Sequence, residues 1–119
     1  MYGEDTDAST LDKTDSKQEP WILCKSCSYP ITAESSRIEK QGAFRHTFTN
    51  PAGYIYRVGC FGSAPGGAIV GGYSADFSWF KHYAWCYMVC SSCYRHLGWH
   101  YSGTEGTDFY GLILDHLST

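Results

Sequence analysis

Two Cys-x-x-Cys pairs are the feature that most restricts what this chain can fold into. Cys24 and Cys27 form the first pair, and Cys90 and Cys93 form the second. Two residues between cysteines allow one tight turn to direct both sulfurs at a single tetrahedral ion, and two such turns supply four ligands. The pattern therefore predicts a structural Zn²⁺ bound by four thiolates. Such a closed site has no coordination position for water, so we expect the ion to stabilise the fold and to perform no chemistry.

Disulfides are the alternative use of these cysteines. A bond within a Cys-x-x-Cys pair would close a small, strained ring, which disfavours it. His96 follows Cys93 closely and could replace a ligand, but four cysteines already satisfy the ion. Cys60 and Cys86 stand outside the pairs, and we interpret them as small buried apolar residues. A disulfide between these two stays open if the protein is secreted.

The composition favours one small β-rich domain. The chain has 119 residues, 17% of them aromatic, and 13 glycines, a combination typical of short strands joined by tight turns. Residues 1–20 contain almost no apolar side chains. They cannot bury enough surface to offset their conformational entropy, so we expect a disordered tail there. Residues 21–119 are then the folded domain, and a structural metal would support a core this small.

The charge and the hydropathy of the chain restrict its partners. The formal net charge is −3, and four thiolates on one Zn²⁺ would make it more negative. Nucleic acid is not expected as a partner, because phosphate binding needs a basic face. No apolar run approaches the roughly 20 residues that span a bilayer, so no membrane partner is expected either. We expect a monomer. No signal peptide is visible at Met1, but a cleaved one could be missing, so a cytoplasmic and a secreted location both stay open.

Six segments have the pattern of β-strands. Some alternate apolar and polar residues with period two, and one is an apolar run between glycine pairs. No stretch has a sustained 3.6-residue period, so we expect a mainly β fold with antiparallel sheets. The predicted strands are residues 43–49, 54–60, 66–72, 83–90, 97–101 and 109–114.

A cluster of tryptophans follows the middle of the chain. Trp99 and Tyr101 have the same parity, so on a strand they face the same side. The segment around Trp79 has no alternation, which places it on a loop, whereas Trp85 belongs to a predicted strand. Three indoles from a loop and two strands can form the walls of a ligand pocket. Clustering alone fits an ordinary hydrophobic core somewhat better than a pocket.

Short motifs around these tryptophans occur in a defined order. They are Cys24-x-x-Cys27, Asn50-Pro51-x-Gly53-Tyr54, Phe77-Ser78-Trp79-Phe80, Tyr83-Ala84-Trp85, Cys90-x-x-Cys93, His96-Leu97-Gly98-Trp99 and Phe109-Tyr110-Gly111-Leu112. Together they closely resemble the CULT domain family, the thalidomide-binding domain of cereblon. The resemblance covers residues 23–117 and is that of a short, single-domain member.

The resemblance implies a fold and a ligand. The fold is a β-tent, in which antiparallel sheets are pinned by the Cys₄ zinc site. The ligand is a small cyclic imide of the glutarimide or thalidomide type, a uridine-like ring, or a peptide that carries a C-terminal cyclic imide. The implied ligand-binding residues are Asn50, Phe77, Ser78, Trp79, Trp85, Trp99 and Tyr101.

The resemblance also assigns roles within that set. The three tryptophans form the cage, and Tyr101 completes it. The backbone carbonyl of Phe77, where cereblon has a histidine, accepts the imide N–H. The backbone N–H of Trp79 donates to an imide carbonyl, and Asn50 lies near the pocket mouth.

Two other functions fit parts of the sequence. An aromatic cage could bind a quaternary ammonium group by cation–π attraction, with Asp76 as the one nearby carboxylate. A methionine sulfoxide reductase-like enzyme would need a reactive cysteine, and only Cys60 and Cys86 are free for that role. No nucleophile–base arrangement is visible elsewhere in the sequence, so we expect a binding protein and not an enzyme.

Overall fold

The structure is a computed structural model that describes residues 20–104 and 107–119. The disordered tail predicted for residues 1–20 lies outside the described residues, except for Pro20. The described part contains nine β-strands. They are β1 (Trp21–Cys24), β2 (Pro30–Ala33), β3 (Arg45–Thr49), β4 (Ile55–Phe61), β5 (Gly67–Ser74), β6 (Tyr83–Cys90), β7 (His96–Gly103), β8 (Phe109–Ile113) and β9 (Leu117–Ser118).

Two short 3₁₀ helices complete the described elements, Glu34–Ser36 and Leu114–His116. Within residues 20–104 and 107–119, neither helix has the length or the apolar character needed to cross a bilayer.

The strands form two antiparallel sheets. The large sheet has the order β3-β4-β8-β7-β6-β5, and the small sheet has the order β2-β1-β9. The predicted mainly β fold with antiparallel sheets is confirmed, and all six predicted strands belong to the large sheet. The small sheet was not predicted. Its strands have four, four and two residues, which is too short for an alternating pattern to be recognised.

One hydrophobic cluster joins the two sheets. Ile22 and Ile31 from the small sheet pack with Met88, Leu97 and Leu112 from the large sheet, and all five are buried. Burial of apolar side chains from both sheets is the main contribution that keeps them together.

The central strands of the large sheet approach closely at two glycines. A Cβ on Gly98 of β7 would collide with the backbone carbonyl of Gly111 on β8. The absence of side chains at this point lets β7 run against β8, with Trp99 opposite Gly111 and Tyr101 opposite Phe109. This register fixes the positions from which two of the predicted pocket residues project.

The loop between β5 and β6 is anchored by Phe80. Its ring is 1% exposed and makes edge-to-face contacts with the rings of His46, Tyr101 and Phe109, at centroid distances of 5.2, 4.9 and 5.0 Å. Aromatic pairs of this geometry add specific stabilisation to the burial of the ring. The buried ring of Phe80 therefore holds the adjacent residue Trp79 against the large sheet.

Candidate metal centre and aromatic pocket

Both Cys-x-x-Cys pairs form the same local turn. In the first pair the N–H of Ser28 donates to the carbonyl of Cys24 at 2.7 Å. In the second pair the N–H of Tyr94 donates to the carbonyl of Cys90 at 2.9 Å. Ser28 and Tyr94 also share a left-handed backbone, with φ of 66° and 63°. This repeated turn lets each pair present both sulfurs to one point, as a metal site requires.

The sulfurs of the two pairs converge into one cluster. All four lie within 4.8 Å of one another. Sγ of Cys24 is 3.6 Å from Sγ of Cys93, and Sγ of Cys27 is 3.6 Å from Sγ of Cys90. Tetrahedral Zn–S bonds of about 2.3 Å place ligand sulfurs about 3.8 Å apart, so the spacing fits an ion at the centre. It does not fit a disulfide, whose S–S bond is about 2.05 Å.

The pKa values of the cysteine thiols are consistent with a cation site. The pKa of the Cys27 thiol is lowered to about 7, mainly by a backbone hydrogen bond at Tyr29 and further by the neighbouring sulfurs. At Cys93 a backbone hydrogen bond at Arg95 acts in the same direction, but desolvation and the other three sulfurs outweigh it and raise the pKa to about 11. Ionisation of one thiol thus makes ionisation of a neighbouring thiol less favourable. A divalent cation would remove this conflict by stabilising all four sulfurs as thiolates.

The cluster connects the two sheets at one end of the domain. Cys24 ends β1 of the small sheet, and Cys90 ends β6 of the large sheet. The guanidinium of Arg95 beside the second pair donates to the hydroxyl of Ser26 within the first. Cys60 and Cys86 lie elsewhere, are fully buried and carry free thiols in the structure.

An aromatic pocket of about 360 Å³ lies on the large sheet, bordered by β6, β7 and the loop between β5 and β6. This volume is within the range of small-molecule sites. All predicted ligand-binding residues except Ser78 line it. The lining residues are Asn50, Pro51, Tyr56, Phe77, Trp79, Trp85, Tyr87, His96, Trp99 and Tyr101.

Trp79 and Trp99 form two adjoining walls of the aromatic pocket. Their ring centroids are 5.0 Å apart with an interplanar angle of 81°. The outer face of Trp79 stacks on Phe48 at 4.7 Å and 9°, which fixes its orientation from behind. Trp99 is only 8% exposed, and Tyr56 meets its ring edge-to-face at 5.5 Å. These contacts fix the orientation of both indoles.

Trp85 forms a third wall and also holds the loop. Its indole Nε1–H donates to the backbone carbonyl of Asp76 at 2.7 Å. The next residue, Phe77, has a left-handed backbone with φ of 56°, which is unfavourable for a bulky side chain. The ring of Phe77 is 77% exposed at the pocket rim. Ser78 turns away from the pocket lining, and its hydroxyl donates to the carbonyl of Phe80 at 3.0 Å.

Tyr101 lies at the back of the pocket. It is 1% exposed, and its ring stacks on Phe109 with centroids 5.0 Å apart and an interplanar angle of 15°. Burial raises the pKa of its hydroxyl far above the usual value, and the nearby Cys60 adds to the effect. Tyr101 therefore presents a neutral, largely apolar surface to the pocket.

Asn50 stands at the mouth of the pocket in a tight turn. Its N–H donates to the carbonyl of Tyr54, and its Oδ1 accepts from the N–H of the same residue, both at 2.9 Å. Gly53 closes the turn with a hydrogen bond to the carbonyl of Asn50. The side-chain oxygen thus already accepts a hydrogen bond within the turn. The amide NH₂ group remains as a donor that a ligand could contact.

Sequence reasoning did not predict four of the lining residues as ligand-binding, Pro51, Tyr56, Tyr87 and His96. The cross-strand register could have indicated Tyr87, because it pairs with Trp99 between β6 and β7. The sequence indicates His96 as a possible substitute zinc ligand and as part of the motif that ends at Trp99, but not as a pocket residue. Its ring packs against Trp99 at 5.1 Å and Tyr87 at 5.3 Å. Its Nε2–H donates to the carbonyl of Gly98 at 2.9 Å. Burial lowers the pKa of His96, and the nearby His116 lowers it further, against the hydrogen bond to Gly98.

The chain is similar to curated proteins named "Protein cereblon". It is 30% identical over 106 residues to that of Drosophila persimilis, which covers 81% of this chain and 17% of the relative. It is 31% identical over 101 residues to that of Drosophila melanogaster, covering 80% of this chain and 17% of the relative. It is 30% identical over 95 residues to that of Drosophila virilis, covering 75% of this chain and 14% of the relative. The alignments thus span less than a fifth of the length of these relatives.

No protein-family model matches the chain. Three findings support the same assignment. They are the similarity to cereblon, the single cluster formed by the two Cys-x-x-Cys pairs, and the aromatic pocket. This chain therefore contains a cereblon-like domain with a four-cysteine site that could hold a metal ion.

Proposed function

We propose that this domain is a zinc-stabilised binding module for small cyclic imides. The observation that carries the proposal is that three tryptophans from a loop and two strands line one preformed pocket of about 360 Å³. A glutarimide ring has an apolar CH₂ edge and a polar imide edge. Indole faces bind the apolar edge by burial and dispersion.

The polar edge of such a ring needs hydrogen bonds when water is excluded. An unsatisfied group would cost about 1–3 kcal/mol. Among the described residues, neither the carbonyl of Phe77 nor the N–H of Trp79 has a hydrogen-bond partner. Both belong to the loop that borders the pocket, so they are suited to accept from the imide N–H and to donate to an imide carbonyl. The left-handed backbone of Phe77 is a local strain of the kind often found at ligand sites.

The chemistry of the donor set supports Zn²⁺ in the cysteine cluster. Four thiolates in a tetrahedral arrangement are a soft donor set that favours Zn²⁺ over Ca²⁺ or Mg²⁺. The residues that would hold the ion are Cys24, Cys27, Cys90 and Cys93. The ion would tie β1 to β6 and would have no role in ligand chemistry.

Two features oppose the alternative functions. No carboxylate is present among the described lining residues, whereas cages for quaternary ammonium groups gain from a negative charge.

Cys60 has a pKa raised to about 11 by burial, against a smaller effect of Lys40, so its thiol stays protonated at neutral pH. A reductase would need an accessible thiolate, and both Cys60 and Cys86 are fully buried. A binding module fits better than an enzyme.

Calorimetric titration with matched ring compounds tests the proposal. Glutarimide should bind, and N-methylglutarimide should not, because methylation removes the donor and places a methyl group against the carbonyl of Phe77. Uridine serves as the second ring of imide character, and tetramethylammonium serves as the cation probe. Equal binding of the N-methyl compound would contradict the proposed contacts of the loop. Displacement of glutarimide by tetramethylammonium would favour the cation cage.

A further inference from the structure

A second group of polar side chains lies on the face of the large sheet opposite the aromatic pocket. His100 stands between Trp99 and Tyr101 on β7, so its side chain projects from the other face. It is only 8% exposed. Its cross-strand neighbours are Cys86 on β6 and Tyr110 on β8, whose ring centroid is 4.8 Å from that of His100. This group takes no part in the proposed imide site.

Both nitrogens of the His100 ring face a polar group. Nδ1 is 2.6 Å from the hydroxyl of Tyr73, and Nε2 is 3.7 Å from Oδ2 of Asp108. The other carboxylate oxygen of Asp108 accepts from the backbone N–H of Gly103 at 3.2 Å, which orients the carboxylate. A negative charge near Nε2 favours the tautomer with the proton on Nε2. Nδ1 then has a lone pair and accepts from the Tyr73 O–H.

A bulge in the edge strand brings Tyr73 to this position. Val70 pairs with Tyr87 and Ser74 pairs with Trp85, so three residues of β5 lie opposite one residue of β6. Gly71 in the bulge has a left-handed backbone with φ of 83°. Tyr73 is 49% exposed, so a reagent can reach it from solvent while its hydroxyl contacts a buried base.

We propose that Tyr73 is a nucleophilic modification site for activated sulfonyl and acyl electrophiles, with His100 as its general base and Asp108 as the carboxylate that stabilises the protonated base. With an arylsulfonyl fluoride, the Tyr73 oxygen attacks sulfur, the O–S bond forms and the S–F bond breaks. The phenol proton passes to Nδ1 of His100, and fluoride leaves. Asp108 stabilises the imidazolium, as the carboxylate does in other nucleophile–histidine–carboxylate arrays. The aryl sulfonate ester is the end product.

The electrostatic surroundings agree with a base-assisted nucleophile. The titratable groups that face His100 are Tyr73, Cys86, Tyr110 and Asp108. Burial lowers the pKa of His100 below 6.5, although Asp108 opposes the shift, so the imidazole is neutral at pH 7.5 and can accept a proton. Burial raises the pKa of Tyr73, and Cys86, Asp108 and Tyr110 add to the rise. Tyr73 therefore keeps its proton and depends on the base.

The test uses benzenesulfonyl fluoride and the full chain at pH 7.5, with labelling quantified at each tyrosine by peptide mass spectrometry. Tyr54 and Tyr94 are the internal controls, because they are 66% and 74% exposed, more than Tyr73. We expect Tyr73 to react on the order of 10²-fold faster than either, the lower end of what a positioned general base contributes. Labelling of Tyr54 or Tyr94 at the rate of Tyr73 would overturn the proposal.

Variants separate base assistance from a merely favourable location. His100→Gln should reduce the rate at Tyr73 to that of the control tyrosines, and Tyr73→Phe should remove the fast phase of labelling. Asp108→Asn keeps an oxygen for the Gly103 N–H and removes only the charge, so it should slow Tyr73 on a folded protein even if His100→Gln does not fold. The wild-type rate at Tyr73 should fall with decreasing pH below 6.5 and level off above it. An unchanged rate in Asp108→Asn, or no such pH dependence, would contradict the proposed base.

Discussion

The indole nitrogen of Trp85 donates a hydrogen bond to the backbone carbonyl of Asp76 at 2.7 Å. One wall of the aromatic pocket thereby holds the start of the loop that carries Phe77 and Trp79. The walls are consequently coupled, and we expect the affinity for the proposed ligand to depend on Trp85 through the loop as well as through its own ring. Such preorganisation lowers the cost of ordering the site when a ligand binds.

Replacing Trp85 by Phe tests this coupling. The change keeps an aromatic wall and removes the hydrogen bond to Asp76. Trp79→Phe is the matched control, because no hydrogen bond from the indole of Trp79 to another described residue would be lost. By calorimetry with glutarimide, Trp85→Phe should lose about 0.5–1.5 kcal/mol more binding free energy than Trp79→Phe, the usual net value of one hydrogen bond. Equal losses would show that the hydrogen bond does not contribute to binding.

Truncation of the cage tests the pocket as a whole. Trp79→Ala, Trp85→Ala and Trp99→Ala should each weaken glutarimide binding by roughly 2–4 kcal/mol, typical of a buried aromatic anchor. Trp21→Ala is the control, since Trp21 is 46% exposed on β1 and outside the pocket lining. Tryptophan fluorescence should change on ligand addition in the wild type. Binding that survives all three truncations would place the ligand elsewhere.

The four-cysteine cluster should contain one zinc ion per chain. Cys24→Ser or Cys90→Ser should reduce the bound metal well below one equivalent and lower the thermal midpoint sharply, because metal binding and folding are coupled. Cys86→Ser is the matched control. It is also buried, but its thiol donates only to backbone carbonyls, those of Val70 at 3.0 Å and Gly71 at 3.3 Å, and a hydroxyl can donate in its place. Elemental analysis of the purified folded proteins would falsify the assignment if the wild type contained no zinc.

His96 should make the stability of the domain depend on pH. Its pKa in the folded state is lowered from 6.5 by burial, so between that lowered value and 6.5 the unfolded state binds more protons than the folded state. The free energy of unfolding should therefore be at its full value above pH 6.5 and decrease as the pH falls below it. Denaturant unfolding of wild type and His96→Gln at several pH values gives the part of the pH dependence of the unfolding free energy that is due to His96. The two proteins differ only at His96, so an unfolding free energy that depends on pH equally in both would contradict this role.

The sequence predicted the parts of this molecule that depend on local pattern. The spacing of Cys24 and Cys27 and of Cys90 and Cys93 is set by one turn, so it is readable without the fold. The parity of Trp99 and Tyr101 likewise follows from a single strand. These predictions concern residues close together in the chain.

The missed parts depend on contacts between distant segments. Tyr56 reaches the aromatic pocket from β4, and its role follows only from the order of strands in the large sheet. Tyr73 lies on β5, His100 lies on β7 and Asp108 directly precedes β8, and a bulge in β5 brings the first to the other two. No nucleophile–base arrangement could be seen in the sequence for this reason.

The close approach of β7 and β8 gives a last prediction. Gly98→Ala would place a methyl group against the backbone of Gly111 and Leu112, which cannot move aside as a flexible side chain can. The strands would have to separate next to Trp99 and His96, so we expect the free energy of unfolding to fall by about 3 kcal/mol or more. Gly72→Ala is the matched control, because nothing lies within 4 Å of a Cβ built there. It should change stability by less than about 1 kcal/mol in either direction. Denaturant unfolding measures the free energy of unfolding of both variants. A Gly98→Ala protein as stable as Gly72→Ala would show that β7 and β8 can separate without loss of stability.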